Sequence, residues 1–211
     1  MAFEFIETAL TTRRQNHLLR KRVCLPQGHG RTVIFEGKPY LNFSSNDYLG
    51  MASHPKVLKA AQAALDKYGC GSSGSPLLTG YSYAQRELED YLCEWLGFER
   101  CLLFNSGFAA NTGVLKTLLS EQSLLIQDKL NHASLIDGGI ACAAKSVRFR
   151  HNDMDSLQQR LQSAQNNTLT VTEGVFSMDG DTAKLDDIYQ LTREYKSWLM
   201  IDDAHGIGVL G

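Results

Sequence analysis

An α/β fold with a mostly parallel sheet is predicted by three observations. After Gly97, short apolar runs alternate with amphipathic stretches of helical period. Successive runs repeat at roughly 25 residues, the length of a strand plus its returning helix. The last run, Trp198-Leu199-Met200-Ile201, leads directly into Asp202-Asp203-Ala204-His205. Polar groups therefore stand where the carboxyl ends of parallel strands bind ligands.

The elements follow in order. Residues 4–22 set Phe5, Ile6, Ala9, Leu10, Leu18 and Leu19 among polar residues, which predicts an amphipathic helix. Its basic group, Arg13, Arg14, Arg20, Lys21 and Arg22, reads as a solvated face. Gly28-His29-Gly30 breaks the chain. Val33-Ile34-Phe35 and Tyr40-Leu41-Asn42-Phe43 flank a hairpin turn at Glu36-Gly37-Lys38-Pro39. Residues 1–50 thus form an N-terminal helix with a small β arm, and 51–211 the larger body. A helix is predicted over 54–68, with Pro55 suited to its first turn. Gly69, Gly71, Gly74 and Gly80 exclude a regular element before the next helix, at 83–95. Strands are predicted at 100–104, 123–127, 146–149, 168–172 and 198–202. Helices are predicted at 108–119, 133–143, 153–163 and 185–196, with a turn at Asn166-Asn167.

Composition narrows the function classes. The 211 residues carry a net charge of -2, with 43% hydrophobic and 21% charged residues. That is ordinary for a soluble globular protein and gives no reason to expect nucleic acid. No apolar run approaches a membrane span, and Glu4 and Glu7 exclude a signal peptide. Five cysteines, Cys24, Cys70, Cys93, Cys101 and Cys142, form no CxxC pair and no zinc spacing. They read as reduced thiols, most of them buried, in a cytoplasmic protein.

Four segments carry chemistry. Phe104-Asn105-Ser106-Gly107-Phe108-Ala109-Ala110-Asn111 follows a predicted strand. Ser106 or Asn105 can cap a helix whose free amides, at Gly107, Phe108 and Ala109, suit an anion such as phosphate. An ordinary capped helix is the alternative. His132, at the start of another helix, reads as a cap, a core histidine or a ring stacked on a planar cofactor. Thr172 through Asp181 holds Glu173, Ser177 and Asp179, more polar groups than a passive crossover needs, and lacks calcium-loop spacing. Asp202 ends an apolar strand, where a carboxylate needs a partner such as a protonated ring nitrogen. His205 could reach a ring hydroxyl or a substrate. Zinc binding by the histidine and carboxylates, or a hydrolase triad without its GxSxG elbow, are weaker fits.

Taken together, these segments resemble the α-oxoamine synthases, pyridoxal 5′-phosphate (PLP) enzymes of fold type I. Leu41 through Gly50 adds a further matching string, Leu-Asn-Phe-Ser-Ser-Asn-Asp-Tyr-Leu-Gly. The resemblance implies an aspartate-aminotransferase-like large domain with a mostly parallel seven-stranded sheet and flanking helices. It implies that Ser106, Gly107 and Phe108 bind the phosphate, that His132 stacks on the pyridine ring, and that Asp202 pairs with the ring nitrogen. It places His205 and Ser177 near the phenolic oxygen, makes Glu173 and Asn46 active-site positions, and gives Arg20 to the substrate acid. His132, Asp202 and His205 are the expected catalytic set. Within the family the strings are most similar to the branch that condenses L-alanine with pimeloyl-CoA or a pimeloyl-carrier protein in biotin synthesis. A homodimer without metal, membrane or nucleic acid is implied. Glycine-using relatives and a non-catalytic dimerisation fragment are the alternatives.

Two departures accompany the resemblance. Pro76 stands where many relatives have arginine. The lysine that would hold the cofactor is expected beyond Gly211, and neither Lys184 nor Lys196 has the setting to replace it. The resemblance thus implies an N-terminal portion, ending before the last strands and the small domain, inactive alone.

Overall fold

A computed structural model describes residues 3–26, 30–164 and 167–211. The predicted break at Gly28-His29-Gly30 and the Asn166-Asn167 turn fall largely outside them. The chain divides into two compact units, Met1–Ala63 and Ala64–Gly211.

The first unit holds α1 (Phe5–Gln15), β1 (Thr32–Phe35), β2 (Lys38–Leu41), a 3₁₀ turn at Met51–Ser53 and the start of α2 (Pro55–Tyr68). The predicted 4–22 helix ends early, at Gln15. His17 adopts a left-handed φ of 55°, and the Leu18 amide reaches back to the Arg13 carbonyl at 2.8 Å. That closure satisfies the last carbonyls and stops the helix while the apolar period continues. β1 and β2 pair antiparallel from Thr32↔Leu41 to Phe35↔Lys38. Glu36 and Gly37, both at positive φ, make the tight turn that the twist of a hairpin favours. Lys38 and Pro39, expected in the turn, begin β2 instead. Both strands of a two-stranded ribbon are edges, where a proline is tolerated.

The second unit contains α3 (Tyr83–Leu96), α4 (Gly107–Leu118), β3 (Leu124–Asp128), α5 (Ala133–Ala141), β4 (Lys145–Phe149), α6 (Met154–Leu161), β5 (Thr168–Glu173), α7 (Leu185–Glu194) and β6 (Trp198–Asp202). The strand expected at 100–104 does not form. Strands persist only where a neighbour completes their hydrogen bonds, and this segment has none among the described residues. Phe104 instead lays its ring beside Gly113 of α4. The sheet therefore has four strands among the described residues, all parallel, in the order β4-β3-β5-β6.

Every residue of the central strands β3 and β5 is buried. Alternate side chains serve opposite faces. Leu124 and Ile126 pack with Phe149, Leu157, Leu161 and Ile188 on the α6/α7 face. Leu125, Leu169 and Val171 pack with Leu115, Leu119 and Leu135 on the α4/α5 face. α5 lies close because two of its residues lack side chains. A Cβ on Gly138 would sit 2.9 Å from Leu115 Cδ1, and one on Gly139 2.3 Å from Gln127 Nε2.

The cysteines correct one expectation. Cys24 and Cys70 are exposed, the other three are intermediate, and all five are free thiols. Sulfur burial was inferred from residue type, which does not know what the local packing leaves uncovered. No helix among the described residues is long and apolar enough to cross a membrane.

Candidate active site

Strand order creates the site. β3 leads through α5 to β4 on one side, while β5 pairs with β3 on the other. Such a switch opens a crevice at the carboxyl ends of the two strands. The loop after β3 carries His132, and β5 ends at Glu173. The His132 backbone N–H donates to the Glu173 carboxylate across this crevice.

β6 adds the second carboxylate. Glu173 and Asp202 are register partners in the parallel pair, so their side chains emerge on one face. Val171, two residues before Glu173, belongs to the α4/α5 core. Both carboxylates therefore face α4 and α5. Burial raises the Glu173 carboxyl above the ordinary value of 4.5, against the hydrogen bond from the His132 amide, and the negative charge of Asp202 adds to the rise. The Ser177 amide also bonds to Glu173 and favours its charged form.

Asp202 is fixed from two directions. Its Oδ2 accepts from Asn111 Nδ2 at 2.7 Å, and its Oδ1 accepts from the Ala204 amide at 3.1 Å. Asn111 is buried on α4 and donates also to Ser134 Oγ at 2.9 Å. Ser134 Oγ lies 2.8 Å from His132 Nδ1, which accepts the Ser134 amide as well. An acceptor at Nδ1 leaves the proton of a neutral ring on Nε2. A continuous chain thus runs Asp202–Asn111–Ser134–His132. It sets the carboxylate and the imidazole in one geometry.

The third part is the start of α4. Ser106 caps the helix, its Oγ accepting the Ala109 amide at 3.1 Å. The preceding amides, Gly107 and Phe108, have no intrahelical partner by helix geometry. A Cβ built on Gly107 meets nothing within 4 Å. Open space, free amides and the positive helix end together suit a phosphate. Asn111 stands one turn further along the same helix, which links this helix start to Asp202.

The remaining sequence candidates are distributed. Ser177 is exposed in the turn after β5, and His205 is half-buried in the turn after β6. Arg20 and Asn46 are exposed residues of the first unit. Lys184 caps the start of α7, and Lys196 precedes β6, at the strand end opposite the crevice. Among the described residues no group of three histidine, cysteine or acidic side chains could hold a metal ion. Sequence reading missed Asn111 and Ser134 as site residues. Asn111 stood in the quoted string, and a side-chain amide directly after Ala109 and Ala110 was the available signal.

Comparison with known proteins follows the same lines. Residues 38–211 match the aminotransferase class I and II family. The chain is 53% identical to an 8-amino-7-oxononanoate synthase of Vibrio atlanticus over 98% of its length, and 52% identical to one of Vibrio cholerae over 98%. It covers 51% and 53% of those proteins, so it spans about half the length of the curated relatives it matches. Among solved structures, a serine palmitoyltransferase of Sphingomonas wittichii superposes with a TM-score of 0.88 at 30% identity, over 99% of this chain and 54% of that one. A serine palmitoyltransferase of S. paucimobilis with a bound PLP–myriocin aldimine gives 0.84 at 29% identity, over 95% and 52%. An 8-amino-7-oxononanoate synthase of Francisella tularensis gives 0.64 at 29% identity, over 76% and 44%. The chain belongs to the aminotransferase class I and II family of PLP-dependent enzymes.

Proposed function

We propose that this chain carries the cofactor cradle of an 8-amino-7-oxononanoate synthase. The reaction is the decarboxylative condensation of L-alanine with pimeloyl-CoA or a pimeloyl-carrier protein, releasing carbon dioxide and the free thiol. The observation that carries the reading is the Asp202 carboxylate, held by Asn111 in a crevice that also presents His132 and the open amides of α4. That donor set fits PLP: amides for its phosphate, a carboxylate for its ring nitrogen, an imidazole for its ring face. When bound, PLP supplies an electron-withdrawing ring that accepts charge from the Cα of an amino acid.

The residues divide the work. Ser106, Gly107 and Phe108 bind the phosphate. Asp202 holds a proton at the ring nitrogen, which keeps the ring electron-poor. His132 lies against the ring and is kept in one orientation by Ser134. His205, with Ser177, serves the phenolic oxygen. Glu173 anchors the His132 backbone and closes the crevice beside Asp202. Arg20 takes the carboxylate of the acyl substrate or product, and Asn46 contacts the substrate. The homodimer and the cytoplasmic setting implied by the resemblance belong to the same reading.

The test has two stages. PLP titrated into the chain should give a saturable absorbance change and raise its melting temperature, and Asp202→Ala should weaken both. The enzyme that contains this segment should then release carbon dioxide and thiol one for one from L-alanine and pimeloyl-CoA. Turnover of glycine or serine with other acyl thioesters, and none with this pair, would overturn the substrate assignment.

A further inference from the structure

A second polar cluster lies on the α6/α7 side of the same strand ends. His151, just after β4, stands between two aspartates. Its Nδ1 is 3.0 Å from Asp128 Oδ1, and its Nε2 is 2.7 Å from Asp181 Oδ2. Asp128 ends β3 and is fully buried. It also accepts the amides of Leu130 at 2.8 Å and Asn152 at 3.1 Å. Asp181 belongs to the loop that leaves β5 at Glu173 and returns to α7. The His151 ring makes a T-shaped contact with Phe176 of that loop, with centroids 4.4 Å apart at 90°. Asn152 adds bonds from its amide nitrogen to Asp181 Oδ2 at 2.9 Å and to the Thr182 carbonyl at 3.0 Å.

We propose that His151 is a positioning residue for the active site: by bridging Asp128 and Asp181 it ties the 174–183 loop to the sheet, and so holds Glu173 and Ser177 at the crevice. The contact to cofactor chemistry rests on the proposed function, while the tether stands on the cluster alone. A neutral imidazole has one N–H and cannot donate to two carboxylates. Both links need the imidazolium. Burial works against that charge, but the bonds to Asp128 and Asp181 outweigh it and raise the His151 pKa above the ordinary 6.5. The other charges nearby are the Arg150–Asp153 pair, closed on itself at 2.7 Å, and Lys184 at the start of α7. A group with a raised pKa contributes its full stabilisation below the ordinary value and loses it as pH rises through the raised one. The loop is therefore pinned below the ordinary value of 6.5 and loosens as pH rises through the raised one.

Amide hydrogen exchange of the full chain tests this, read at Phe176, Gly180 and Ala183, whose N–H groups bond within the loop. After correction for intrinsic rates, their exchange should rise by about tenfold across the histidine titration, the loss of one hydrogen bond to a charged group. Ile126 and Val171 in the sheet should not follow. His151→Gln, which reaches one carboxylate at a time, should exchange fast at every pH. Asp181→Ala keeps the buried Asp128 link but leaves Nε2 without its partner on the loop, and should do the same with the sheet amides unchanged. His151→Gln should also weaken PLP binding several-fold at pH 6 and little at alkaline pH, a pH profile that a general packing defect would not produce. Loop exchange that is flat with pH and equal in both variants would overturn the tether. Loosened loops with unchanged PLP affinity would overturn the positioning role. If the unsubstituted chain binds no PLP, the proposed function fails, while the exchange data still decide the tether.

Discussion

The Asn111–Asp202 bond can be measured as an energy. Asn111→Ala removes two hydrogen bonds and some packing. The bond to the carboxylate is short, 2.7 Å, and partly buried. A hydrogen bond to a charged group of this kind contributes about 1.5–3 kcal/mol. The neutral bond to Ser134 Oγ, at 2.9 Å, adds about 1 kcal/mol. Asn111→Ala should therefore cost about 3 kcal/mol in urea unfolding. Asp202→Ala removes the same carboxylate bond from the other side. In that background Asn111→Ala should cost only what Ser134 and packing contribute. The double-mutant cycle should give a coupling of about 2 kcal/mol. Ser134→Ala combined with Asp202→Ala should be far less coupled, since those two residues meet only through Asn111. A coupling between Asn111 and Asp202 within about 0.5 kcal/mol of zero would refute the claim that the amide fixes the carboxylate.

Two further outcomes follow from the same geometry. Gly107→Ala should leave the unliganded chain as stable or up to about 1 kcal/mol more stable, because alanine is the better helix former and its methyl meets only space. On the proposed function the methyl would stand where the phosphate binds, so PLP affinity should fall, and calorimetric titration against the unchanged melting temperature separates the two effects. Glu173 gives a pH signature. Its raised pKa means that the native chain holds that proton more tightly than the unfolded one, so stability from this group is present below 4.5 and is lost as pH rises towards the folded value. Glu173→Gln should remove that slope from the stability-against-pH curve, while the lost acceptor for one of its two amides shifts only the offset. An unchanged slope would show that the burial of this carboxyl has no charge cost.

Local pattern revealed what local forces decide. β3 and β6 were legible as short apolar runs, β5 as threonines alternating with Leu169 and Val171, and the helices between them by their own period. Residues 100–104 have the same composition, yet their fate depends on a neighbouring strand, and composition does not carry pairing. The end of α1 was missed because a closing turn at His17 overrides the period that continues past it. Asp202 and His132 could be suspected one at a time, Asp202 as a carboxylate ending an apolar run and His132 as a ring at the start of a helix. Their link could not. Asn111 and Asp202 are 91 residues apart, and no spacing rule joins them before the sheet forms. His151 and its two aspartates were invisible for the same reason.

The two clusters share a logic set by strand alternation. β3 ends at Asp128 and β5 at Glu173, at adjacent ends of neighbouring strands. Asp128 is held by His151 beside the α6/α7 core, and Glu173 by the His132 amide on the other face. Each carboxylate would be costly in an apolar sheet, and each is offset by donors from the loop that follows a different strand. The loop after β3 supplies His132, the loop after β4 supplies His151, and their partners Glu173 and Asp181 lie before and within the loop after β5. The 174–183 loop follows Glu173, bonded on one face, and carries Asp181, bonded on the other. Bonds within the loop, from the amides of Phe176, Gly180 and Ala183, set its shape, and the two anchors set where that shape sits on the sheet ends. The close seat of α5 completes the arrangement. Glycines at 138 and 139 let that helix approach α4 and β3, and only at that distance does Ser134 meet the amide of Asn111. Packing on one face of the sheet thereby decides where a hydrogen bond to Asp202 can be made.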